Sequence, residues 1–153
     1  MRGSPTGERA ERVAVIGLRL LAAAFALVGL LFIVMPDGLL GALDDVGEWL
    51  PLGDFDPAPE TAQQLWLALG FAYMVVIAGI CVIAQADVVR YRPMLLVLAA
   101  GKLASSLAGL GFYIFDAPVF AYLLNFVVDG SLVAIVLALW VLAGRAPEPA
   151  APS

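Results

Sequence analysis

Four long apolar runs, separated by short polar breaks, take up most of this chain. Residues 13–35 form the first. At 1.5 Å per residue it reaches about 35 Å, enough to cross a hydrocarbon layer of ~30 Å with some tilt. Pro36, Asp37 and Gly38 end it, because proline and glycine break helices and aspartate favours turns. The second run covers 61–86. Asp87, Arg90, Tyr91 and Arg92 make a charged turn, after which Pro93 suits the first position of a third span, 93–115. The turn Asp116-Ala117-Pro118 leads into the fourth span, 118–143.

The pattern changes between the first two spans. Leu39, Leu43, Val46 and Leu50 fall at helical spacing, with Asp44, Asp45 and Glu48 off that stripe. This predicts a short amphipathic helix on the membrane surface, with Trp49 as an interfacial anchor. The following PLGDFDPAPE is proline-rich and reads as irregular. The expected fold class is all-α: an integral membrane, up-down four-helix bundle with a short interfacial helix in the first extracytoplasmic loop. Residues 1–12 and 144–153 read as disordered cytoplasmic tails around a four-helix transmembrane domain at 13–143. The first span is too long for a secretory h-region, and no small-residue cleavage site follows it, so it reads as an uncleaved helix.

Orientation follows from the flanking basic residues. Arg2, Arg9, Arg12, Arg90, Arg92 and Arg145 fall in the two tails and the second-to-third turn, and the other two loops hold no Lys or Arg. The positive-inside rule then places both termini in the cytoplasm. In a bacterium this means the inner membrane, with the acidic loop outside.

Composition supports this class. The chain of 153 residues is 63% hydrophobic and 14% charged, against roughly 45–50% and about 25% in soluble domains. Histidine is absent, which removes His-ligated metal and haem sites and His-dependent nucleophilic catalysis. The single Cys81 reads as a small packing residue. The acidic loop lacks the spacing of a calcium loop, so no metal or cofactor is expected. No basic patch with interleaved aromatics points to nucleic acid.

The remaining chemistry lies inside the third and fourth spans. A charge at mid-bilayer costs about 2.5–3.5 kcal/mol, so Lys102 and Asp129 should face the bundle and meet. Counted from the outer turn they differ in depth by about 4 Å, within reach of a lysine stem. Their side chains lean apart, which counts against the pair. Other polar residues share their faces: Ser106, Gly109 and Tyr113 with Lys102, Tyr122 and Asn125 with Asp129, and Gln63, Trp66, Gly70 and Tyr73 on the second span. If these stripes converge, they line a cleft open to the outside with the two charges at its floor. Gly101, Ser105 and Gly109 form a small-residue ridge that places the third span at the bundle centre. Arg19 is expected to snorkel or to pair with Asp87.

The outline is similar to that of DoxX-like proteins, which are also short four-helix bundles with an arginine early in the first helix, here Arg19. The similarity covers topology alone, and no site residue follows from it. Two function classes stand. One is a non-catalytic membrane protein, either an accessory subunit of a membrane complex or a binder of a small lipophilic ligand. The other is a small oligomeric ion-coupled transporter using Lys102 and Asp129. The reading leans away from an enzyme, since no constellation demands one. The bilayer, a second copy or a larger complex are the expected partners.

Overall fold

The computed structural model describes residues 5–50, 55–58 and 64–146. Residues 51–54 and 59–63, which include Gln63 and most of the proline-rich stretch, lie outside the described residues, as do 1–4 and 147–153. Five helices follow in order: α1 Pro5–Val34, α2 Pro36–Trp49, α3 Gln64–Ala84, α4 Arg92–Phe115 and α5 Phe120–Ala143. α1, α3, α4 and α5 are each long and apolar enough to span a membrane.

The first helix corrects the expected tail. α1 starts at Pro5 rather than Val13, so residues 5–12 are helical. Its 30 residues reach about 45 Å, well beyond the hydrocarbon thickness. Gly7, Ala10, Ala14, Leu18, Leu21, Phe25 and Gly29 are buried, three or four residues apart, in one stripe along the rod. The stripe begins with residues too small to register as hydrophobic, while Arg9 and Arg12 beside it are exposed.

A single residue, Met35, separates α1 from α2, and Pro36 opens the new helix. The inward face of α2 is not quite the expected stripe. Val46 is 48% exposed, while Gly47 is buried. A Cβ on Gly47 would lie 2.9 Å from the Phe120 Cβ, so only glycine lets α2 press this closely on α5. Asp44 has a structural partner: both its carboxylate oxygens accept from the Ala58 N–H, at 3.1 and 3.0 Å. The loop then runs onto the α4–α5 turn. Asp56 N–H donates to the Pro118 carbonyl at 3.2 Å, and Phe55 meets Phe120 edge-on at 5.2 Å. Val119, in extended conformation, delays the start of α5 to Phe120, two residues after the expected Pro118.

The spanning helices pack as two broad pairs, α1 on α3 and α4 on α5, and the pairs meet along narrower seams. The small-residue ridge of α4 accordingly divides its faces. Gly109 lies against α5, where an added Cβ would come within 2.9 Å of the Tyr122 carbonyl, whereas Gly101 lies under the Tyr73 hydroxyl of α3.

The basic end is tied separately. Arg92 sits over the Trp140 ring at 3.8 Å and donates from Nε to the Trp140 carbonyl at 2.9 Å. A cation against the last turn of a helix meets the negative end of its dipole, so this contact fastens the start of α4 to the end of α5.

Gly109→Ala is expected to destabilise the bundle by about 1–3 kcal/mol, because backbone cannot yield to the new methyl. Gly111→Ala, where a Cβ meets nothing within 4 Å, should be neutral or mildly stabilising. Unfolding in mixed micelles at increasing dodecyl sulfate fraction measures both.

Candidate functional site: a buried ion pair with an aromatic cover

Lys102 lies on the buried face of α4, with Leu95, Leu98, Ala99, Ser106 and Gly109. This spacing of three and four aims it between the helix pairs. Asp129 holds the corresponding place on α5, ahead of Val136, Leu139 and Ala143. The Lys102 Nζ donates to Asp129 Oδ1 at 3.0 Å. The residues are 2% and 5% exposed, so the pair is shut off from solvent. The lysine stem spans the depth offset that the backbone leaves.

The other helix pair supplies the cover. Nζ lies 4.7 Å from the centre of the Phe25 ring on α1 and 5.4 Å from that of Tyr73 on α3. All four spanning helices therefore meet around one ammonium, with the carboxylate on one side and two negative ring faces on the others. In a medium without water these contacts replace hydration that the membrane cannot provide.

The remaining polar side chains lock α4 to α5 nearby. Ser106 Oγ donates to the Phe126 carbonyl at 2.8 Å, and Gly130 leaves room for that hydroxyl. Asn125 Nδ2 donates to the Ser105 carbonyl at 3.0 Å. Of the expected site residues, the structure gathers Lys102, Asp129 and Tyr73 at the centre, with Ser106 and Asn125 beside them between α4 and α5. Tyr122 instead packs its ring against Phe112 at 5.7 Å. Tyr113 is half-buried towards the far end of α4. Trp66 is 64% exposed, so the second-span stripe does not turn inward as a unit. The expected open floor is absent: Phe25 and Tyr73 lie over Lys102, and the pair is sealed.

Of the two expectations for Arg19, the pairing with Asp87 does not form. The Arg19 Nε donates to Gln85 Oε1 at 2.9 Å, joining α1 to the residue after α3. Asp87, the expected partner, turns back to accept from the Arg90 N–H at 2.9 Å.

The pair marks a boundary in the packing. The hydrophobic core, including Leu18, Leu21, Ile77, Cys81, Leu95, Leu98, Val136 and Leu139, lies in the half of the bundle towards the α3–α4 turn. In the other half, among the described residues, only Gly29, Gly47, Ser106, Gly109, Val119 and Phe120 are buried. Phe32, Phe71, Tyr113, Tyr122 and Phe126 are half-buried there.

No family model matches this chain, and neither the curated proteins nor the solved structures give a significant match. The topological similarity to DoxX-like proteins gains no support from a family match.

Lys102→Met leaves a buried carboxylate without its partner, and is expected to cost about 3–5 kcal/mol. The double change Lys102→Met with Asp129→Leu should recover most of that loss, because the apolar pair needs no hydration. A loss in the double variant equal to the sum of the losses in Lys102→Met and Asp129→Leu alone would show that the two charges do not act together.

Proposed function

We propose that this chain is a non-catalytic integral membrane protein of a bacterial inner membrane, which holds a small lipophilic ligand in the outer half of its bundle. The basic end faces the cytoplasm with both termini, and α2 and its acidic residues face out. The observation that carries the reading is the unequal packing above and below the ion pair. One half has a dry aliphatic core. The other has few buried residues and several half-buried aromatic rings, and ligand sites between helices favour apolar and aromatic linings. Lys102 and Asp129 serve this arrangement as a register pin. The ammonium is enclosed by Asp129, Phe25 and Tyr73, which leaves it engaged rather than offered to a passing ion.

A second reading, an accessory subunit of a larger membrane complex, draws on Trp66, Phe112 and Phe115, which are 64%, 55% and 88% exposed. These rings suit a partner helix as well as lipid.

The protein purified in mild detergent and extracted with organic solvent should release a defined apolar molecule, enriched over the lipid released from an unrelated bundle. Leu67→Trp, which adds bulk to the half-buried face of α3, should reduce that yield several-fold. Extraction of bulk lipid alone, together with a stoichiometric protein partner, would replace the ligand reading with the subunit reading. Reconstituted vesicles are expected to dissipate an imposed pH gradient no faster than empty ones. A faster leak that Lys102→Met abolishes would establish an ion-coupled carrier instead.

A further inference from the structure

The extension of α1 beyond the membrane thickness lies alongside the end of α5, and a groove of about 390 Å³ opens between them. Arg9 lines it from α1, and Arg145, just past α5, lines it from the other side. Thr6, Gly7, Ala10, Val13 and Leu142 line the rest of it. The lining therefore changes from two guanidinium groups to aliphatic carbon within about one helical turn, near 5.4 Å.

The two arginines differ from others at this end. Arg19 donates to Gln85 and Arg92 to Trp140. Among the described residues, neither Arg9 nor Arg145 forms an ion pair. Both are exposed, and they bring two positive charges to one groove with no acidic residue in its lining. The volume is within the range of small-ligand sites, roughly 300–1,000 Å³.

We propose that this groove is a binding site for the phosphodiester headgroup of an anionic membrane lipid, with Arg9 and Arg145 on the phosphate and an acyl chain running past Val13 and Leu142. Guanidinium is suited to the anion because its planar fork pairs with two phosphate oxygens at once. Val13, the first residue of the apolar run, lies one turn beyond Arg9, so the charges fall at headgroup level. Basic pockets between spanning helices recognise anionic headgroups in this way. The proposal requires a membrane-spanning chain but not the outer-half ligand, and the two sites lie at opposite ends of the bundle.

Native mass spectrometry of the full chain, with dioleoylphosphatidylglycerol and dioleoylphosphatidylcholine supplied in equal amounts, tests it. The phosphatidylglycerol adduct should dominate by at least tenfold, since a basic residue near the surface is worth roughly a fivefold gain. Arg9→Gln with Arg145→Gln should weaken that adduct about 30-fold, while Arg9→Lys with Arg145→Lys retains part of it. Arg90→Gln, at the same end but outside the groove, should leave it unchanged. Equal adducts of the two lipids in the unaltered chain would overturn the proposal, as would an equal loss in Arg90→Gln. Millimolar inorganic phosphate displacing the lipid would also overturn it, and would assign the groove to free phosphate.

Discussion

A lysine and an aspartate removed from water on neighbouring helices limit how those helices can be placed. Each charge alone costs about 2.5–3.5 kcal/mol at mid-bilayer, and the cost falls only when they touch. At 3.0 Å they do touch. Sliding α4 against α5 by one helical turn, about 5.4 Å, would separate them. Ser106 on the Phe126 carbonyl and Asn125 on the Ser105 carbonyl fix the same register independently. Apolar packing alone would leave it weakly determined, since lipid and leucine are equivalent solvents for an apolar face.

The second pair of helices is positioned by what the first pair leaves unfinished. An ammonium with one carboxylate partner still has open faces, and Phe25 and Tyr73 occupy two of them. The site is thus a joint between two helix pairs, with the aliphatic core beneath it. Arg92 on Trp140 and Arg19 on Gln85 close the same end with donors that reach across helices.

The spans and the ion pair were legible because each follows from a local rule: length of an apolar run, and the cost of an isolated charge. Phe25 was not legible, since a phenylalanine in an apolar run carries no mark that separates a ring over an ammonium from one facing lipid. Gly7 and Ala10 concealed the early start of α1 for a related reason. Close helix contact selects small residues, and hydropathy gives small residues little weight. Asp44 was hidden among other acidic residues, although it alone among them accepts from Ala58. The open cleft failed because shared spacing on separate helices says nothing about which helix face turns inward. Trp66 faces out while Tyr73 reaches the centre.

α1 runs without a break from Pro5 to Val34. The groove residues Arg9, Ala10 and Val13, the ring over Lys102, and the Met35 joint to α2 therefore belong to one stiff rod. A tilt or rotation imposed where α2 rests on α5 is transmitted along its axis, and the two ends of the molecule share one mechanical coordinate.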